Sequence, residues 1–423
     1  LPFAIAAQSA RLLDVSPDEQ LELLRRFAPT LHFDALERWR PGLVDGYLEH
    51  STVRDGSEHV LPGTPPAEAA MREHGHNYNA QLNPLGNDLD LDTYRRGTEM
   101  LEAYGHEQNL VGAGVAYGRV APVSKAFFLQ YWLFYPDNPC VLPPGRHDGD
   151  WELVQVKVER DGEGFVATQV TLAEHGQPAT HPVDTSRRAE GPDVFVAVDS
   201  HACYFKEGAH PALLSDVCDP AGGRGAKPAV TLLPIAPDKR DWVHWSGRWG
   251  LDRGGGTRLA ISWHLKPTPW PLTKLNKAGD SPKGPGHQGT SWRFPKMFAG
   301  KGTVRKWSTV QLQRLAHLVG YATWPNASPR VEVRAATKGN GGPTTAYVVE
   351  AGTAGHFLRR VAFVSIAFFE QRHDGTLRGL GLQKVQPDQA ETFEIPHRGE
   401  LLWRAAGYNV LRQRGDPILP KPH

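Results

Sequence analysis

His147-Asp148-Gly149-Asp150-Trp151-Glu152 sets one histidine and three carboxylates in six residues, and Val154, Val156 and Val158 follow at alternate positions. The alternation reads as the start of a strand. Side chains of a strand point to opposite faces in turn, so Asp150 and Glu152 share the valine face and Trp151 takes the other. Two carboxylates at the head of a buried apolar row resist ionisation twice, through lost hydration and mutual repulsion. A bound cation removes both costs. His147 lies upstream in the same loop, where a turn at Gly149 can swing it back. Asp137, at the end of the preceding aromatic strand, can add an oxygen. Mostly oxygen ligands with one imidazole suit magnesium, calcium or manganese ahead of zinc. The plain alternative is a surface loop whose acids pair with Arg146 or Arg160. Spacing alone leaves both readings open.

Three further histidines enter as ligand-binding or outer-sphere candidates. His175 ends one predicted strand and His201 follows another, and His210 sits in Gly208-Ala209-His210-Pro211. Each can supply a second imidazole or accept a proton, or can simply hydrogen-bond at a strand end. His74-Gly75-His76 has a chelating spacing in a polar loop that brings no cysteine or carboxylate with it. Trp242, Trp245 and Trp249 suit either a sugar or lipid-head-group surface or the packed edge of a sheet. Gly254-Gly255-Gly256 lacks the strand–loop–helix setting and the lysine of a phosphate loop, and reads as a turn. No serine elbow, His-Glu-x-x-His helix or reactive-cysteine signature is present.

Short apolar runs bounded by turn residues must position these groups. Phe127-Phe128-Leu129-Gln130-Tyr131-Trp132-Leu133-Phe134-Tyr135 is apolar on both faces, as a central strand is. Further strands are expected at 151–159, 165–172, 194–198, 230–233 and 259–265. Ser16-Pro17-Asp18-Glu19 is a capping box opening a helix, with a short strand, 30–33, after it. Residues 55–120 read as long loops with one helix near Glu99. The fold class expected is mainly β: a β-sandwich from about residue 125 to 270 with an N-terminal helix and long loops. A chain of 423 residues has room for more than one domain. The division expected is 1–304, holding the cation site, and 305–423, an accessory β module. In the module a capped helix at 308–320 precedes a hairpin, 330–337 with 344–350, and strands at 360–371, 392–395 and 401–404.

Lys+Arg of 47 against Asp+Glu of 46 leaves no net field for nucleic acid. No apolar run is long enough to cross a bilayer as a helix. Cys203 and Cys218 can pair and leave Cys140 over, or all three stay reduced. Leu1-Pro2-Phe3-Ala4-Ile5-Ala6-Ala7 fits either the tail of a signal peptide or an apolar strand, so secreted and cytoplasmic locations both stand.

Arg26-Phe27-Ala28-Pro29-Thr30-Leu31, Glu37-Arg38-Trp39-Arg40-Pro41, Leu129 to Pro136, His147 to Glu152 and Asp199-Ser200-His201-Ala202-Cys203-Tyr204 occur in that order. The ordered set resembles the vacuolar protein sorting-associated protein 62 family over roughly residues 20–300. That family is distantly similar to the necrosis- and ethylene-inducing peptide-like (NPP1-type) toxins. The resemblance implies that His147, Asp150 and Glu152, with Asp137 as an upstream aspartate, help hold a divalent cation. The toxins carry two histidines and an arginine in that motif, where this chain has Asp148-Gly149. The function expected is a cation-dependent binding protein, toxin-like or surface-recognising, with a glycan, lipid head group or small molecule as ligand. A metal-assisted hydrolase of ester or glycosidic bonds, and a structural or cargo protein stapled by metal, are the alternatives.

Overall fold

A computed structural model describes residues 15–37, 39–49, 51–54, 81–84, 113–138, 147–162, 164–174, 177–210, 216–234, 242–245, 247–250, 282–303, 331–336, 344–351, 361–371, 377–386, 389–397 and 400–409. Helix α1 (Pro17–Arg26) starts as the capping box dictates. The Ser16 hydroxyl accepts from the Glu19 N–H at 3.3 Å, and the Glu19 carboxylate accepts from the Ser16 N–H at 2.8 Å. Strand β1 (Thr30–Phe33), helix α2 (Val44–Glu49), β2 (Ser51–Arg54) and β3 (Gln81–Pro84) follow.

The main sheet is built from β4 (Val115–Val123), β5 (Ala126–Asn138), β6 (His147–Asp161), β7 (Gly164–Glu174) and β8 (Gln177–Pro182), antiparallel in sequence order. After it come β9 (Asp193–Val196), β10 (Cys203–Tyr204), β11 (Gly208–His210), β12 (Asp216–Cys218) and β13 (Ala229–Leu232). β13 joins the main sheet parallel to β4, and β9 forms a small sheet with parallel β1 and antiparallel β10. Helices α3 (Thr290–Arg293) and α4 (Pro295–Thr303) lead out of this region.

β5 is apolar on both sides because both sides are covered. Leu129, Tyr131, Leu133 and Tyr135 join Leu24, Phe27, Leu31, Val194 and Val196 in one core. Trp132 and Phe134 join Trp151, Trp242, Trp245, Trp249 and Trp292 in the other. The mainly β class expected from sequence is what the chain adopts. Its layers are unequal, however: a six-stranded sheet carries a small sheet and α1 on one face, and tryptophans with α3 and α4 on the other. β4 begins inside the stretch expected as loops, and β8 is a strand the sequence reading did not mark, because Gly118, Arg119 and Pro122 in β4 and two prolines in β8 blur the alternation.

A polar row crosses that second face. Arg119, Gln130, Gln155, Thr171 and Thr180 are opposite one another on β4 to β8. Arg119 donates to Gln130 and to the Trp292 carbonyl, and Gln130 to Gln155 and the Ser291 carbonyl. Gln155 donates to the Pro295 carbonyl and Thr180 to the Ala299 carbonyl. Buried amides and hydroxyls would be costly left alone; here they fasten α3 and α4 to the sheet.

The C-terminal strands are β14 (Val331–Ala336), β15 (Thr344–Ala351), β16 (Val361–Gln371), β17 (Leu377–Val385), β18 (Gln389–Pro396) and β19 (Glu400–Asn409). They form two three-stranded sheets, β14-β15-β18 and β17-β16-β19. β14 and β15 pair antiparallel, as the hairpin pattern predicts. Contacts cross the boundary expected at residue 305: Leu36 packs with Ala367, Phe369 and Ala406, and Arg404 donates to the Ala35 carbonyl at 2.8 Å. The helix expected at 308–320, the strand expected at 259–265, the helix near Glu99, residues 1–7, His74, His76 and Gly254–Gly256 lie outside the described residues.

Candidate functional site

β6 delivers the two central carboxylates. Across the ladder Asp150 pairs with Tyr135 and Glu152 with Leu133. Asp150 is 5% exposed and Glu152 7%. Val154, Val156 and Val158 continue into one core, and Trp151 and Leu153 into the other, as strand alternation requires. Gly149 has φ +64°, and a Cβ there would lie 2.2 Å from the Trp249 carbonyl oxygen, so the close approach needs glycine.

His201 arrives from the tight turn between β9 and β10. Asp199 and His201 both hold left-handed φ values, +65° and +55°. Asp and His tolerate that region better than most residues, and such strain gathers at functional sites. The His201 ring is fully buried and lies flat on Tyr135, with centroids 3.9 Å apart and planes 1° from parallel. Its Nδ1 is 3.1 Å from Asp150 Oδ2. Its Nε2 is 3.6 Å from Glu37 Oε1, an ionic contact longer than a hydrogen bond. Glu37, 1% exposed, also accepts from the Trp39 N–H at 2.7 Å and the Asp199 N–H at 2.8 Å. Asn138 donates to Asp150 Oδ2 at 3.1 Å.

The charges follow from this packing. Burial works against an imidazolium, but the Glu37 carboxylate and the hydrogen bond to Asp150 outweigh it and push the His201 pKa up to about 9. Burial likewise opposes the Glu37 carboxylate; the attraction of His201 and the backbone donors prevail, and its pKa is lowered. Glu37, His201 and Asp150 therefore form a buried ion triad. Glu152 is the reverse case. Burial, then repulsion from Asp150 and Asp216, hold its pKa well above the usual carboxylate range. Among the described residues no group donates a hydrogen bond to it. Asp216, on β12, accepts from the Tyr204 hydroxyl at 2.5 Å, and Tyr204 stacks on His210 at 3.8 Å. His210 Nε2 donates to the Lys206 carbonyl at 2.8 Å.

Of the residues expected from sequence, Asp150, Glu152 and His201 come together, and His210 borders the group through Tyr204. Asp137 pairs with Asp148 and Asn138 with His147, so the backbone register carries Asp137 and His147 to the same end of the β5–β6 ladder. His175 lies outside the described residues. Trp242, Trp245 and Trp249 are buried and pack the core, which removes the surface reading of that cluster. Cys203 and Cys218 are buried thiols with no disulfide between them. Sequence reasoning missed Glu37, Tyr135 and Asn138, although Glu37 and Tyr135 stand in the quoted motifs, and it missed Asp216, which no motif marks.

Asp150, Glu152 and Asp216 offer the oxygen donors a hard divalent cation takes, whereas His201, protonated between Glu37 and Asp150, has no lone pair to add. In number, no group of three His, Cys, Asp or Glu among the described residues could hold an ion.

Fold and site together define a mainly β protein with a buried acidic–histidine cluster at a strand end. No family model matches the chain, and no curated protein matches it. Two solved structures of NLP (necrosis and ethylene-inducing) proteins show a weak likeness, both at 13% identity and a TM-score of 0.25. The non-toxic HaNLP3 protein aligns over 51% of this chain and 75% of its own, and a triple mutant of NLPPya over 52% and 75%. Likeness at that level transfers no activity. Nothing in these comparisons supports the resemblance to the vacuolar protein sorting-associated protein 62 family.

Proposed function

We propose that this chain is a binding protein whose recognition loops are ordered by a divalent cation, magnesium, calcium or manganese, with Asp150 and Glu152 at its centre. One observation carries the reading: a buried carboxyl, Glu152, has no hydrogen-bond donor among the described residues and is repelled by two further acids, Asp150 and Asp216. A cation there replaces the proton that Glu152 must otherwise keep. Asp137 and His147 would complete the shell, and His201 would hold Asp150 in place from Tyr135. The ligand is a glycan, a lipid head group or another small molecule, in keeping with the surface recognition that the motif resemblance implies.

A second reading has its own support. His201 already stands as a cation between Glu37 and Asp150, so the cluster can serve as a staple joining the turn after β1, β6 and the β9–β10 turn. Calorimetry with each of the three ions, on wild type and Glu152→Gln, separates the two. On the first reading an ion binds wild type and not the variant. At a hundredfold excess over Kd it stabilises wild type by about 2.7 kcal/mol. If no ion gives heat, and a chelator leaves the melting temperature unchanged, the staple stands and the binding proposal is lost.

A further inference from the structure

Among the described residues three large hydrophobic side chains are exposed, and two of them, Phe294 and Met297, lie three positions apart. Phe294 caps the end of α3 and Met297 belongs to the first turn of α4. Arg293 and Lys296, both exposed, flank them. Single exposed apolar residues are ordinary. These two are interleaved with cations on a segment whose inner side is already committed. Trp292, Phe298 and Ala299 are buried, and the Ser291, Trp292, Pro295 and Ala299 carbonyls are held by the sheet. The outer side chains have no part in that fastening.

The sequence adds a charge argument that the balanced total conceals. The described stretch 282–303 has no Asp or Glu and has four basic residues, Lys283, Arg293, Lys296 and Lys301. Fields are felt over a Debye length of about 10 Å, so the chain's net charge of +1 does not describe this segment.

We propose that the α3–α4 tip docks on an anionic phospholipid bilayer, with Phe294 and Met297 entering the boundary of the acyl region and Arg293 and Lys296 meeting lipid phosphates. Basic residues alone would suit any polyanion. A single-stranded nucleic acid could stack a base on Phe294, but it has no hydrocarbon for Met297, whereas a bilayer takes both. The short helices are fixed to the sheet, so the tip meets the surface already shaped.

The test is vesicle co-sedimentation of the full chain in chelator, which keeps the cation site out of the result. Vesicles of phosphatidylcholine mixed with phosphatidylserine are compared with phosphatidylcholine alone. Binding is expected on the mixed vesicles, weakening as salt rises. Phe294→Ser combined with Met297→Ser should reduce it by about tenfold or more. Lys296→Gln should reduce it by about fivefold, and as a fully superficial change it keeps the test sound should the double variant fold poorly. Equal partition onto neutral vesicles, no binding to either, or wild-type binding by Lys296→Gln would each overturn the proposal. Tight binding to a single-stranded oligonucleotide in place of vesicles would reassign the face to nucleic acid.

Discussion

Raising the pH should loosen this fold well before ordinary alkaline denaturation. The cause is His201, whose imidazolium is stabilised between Glu37 and Asp150 with a pKa pushed up to about 9 from 6.5. In the unfolded chain the ring loses its proton near 6.5, so folding retains a proton that the open chain gives up. A group raised in the folded state contributes fully below its unfolded pKa and loses that contribution as pH climbs through its folded pKa. The rise from 6.5 to about 9, at about 1.4 kcal/mol per tenfold change, amounts to about 3 kcal/mol. Glu152 acts in the same direction: its pKa is raised, so rising pH favours the unfolded chain, which ionises it more readily. Glu37 has a lowered pKa and acts at the other end, costing stability as pH falls below the usual carboxylate range. Urea unfolding in chelator, from about pH 6 to about pH 10, should therefore show a falling free energy. In His201→Gln the alkaline slope should flatten and the protein should lose about 3–5 kcal/mol near neutrality, because two buried carboxylates are left facing each other. Should that variant not fold, Glu37→Gln removes one anion and should shrink the slope. Wild-type stability that stays level or rises between pH 7 and 10 would refute the assigned charge on His201.

If a cation binds at Asp150 and Glu152, Glu152 must shed its proton first, so affinity should increase with pH and calorimetric heats should differ between buffers of unlike ionisation enthalpy. Heats independent of the buffer would count against proton release. Gly149→Ala should cost about 1–3 kcal/mol or more, because it strains a positive φ and drives a methyl into the Trp249 carbonyl; an unchanged denaturation midpoint would contradict the close approach. Ending the chain at residue 304 strips Ala367, Phe369 and Ala406 from Leu36 and removes the Arg404 bond to Ala35. The shortened protein is expected to melt earlier or to aggregate, and soluble monomer with the full-length melting temperature would show instead that residues 305–423 are a separable accessory module.

Local patterns carried much of this into the sequence. The valine row after Glu152 sets the facing of β6, and the Ser16–Glu19 box sets the start of α1, because both depend on neighbours a few positions away. Partners that meet only through the fold left no trace of their meeting. Glu37 reads as a turn residue until the β9–β10 turn brings His201 to it, and Asp216 carries no motif at all. The tryptophans are the opposite case: a dense aromatic run suits a surface or a packed sheet edge, and the burial of Trp242, Trp245 and Trp249 bears out the packed reading. β8 was hidden because an edge strand can hold prolines that a central strand cannot.

The row from Arg119 to Thr180 grips α3 and α4 by main-chain oxygens, which every amino acid possesses. Attachment of the two helices therefore does not depend on what side chains they show to solvent. Drift at Arg293, Phe294, Lys296 and Met297 is invisible to the sheet beneath, and a lineage can rewrite that outer script without unfastening the helices. Exchange of Gln130 or Gln155 has no such licence, since each serves a neighbouring strand and a helix together. The molecule thus separates a surface that evolution can edit cheaply from the clasp that keeps it in place.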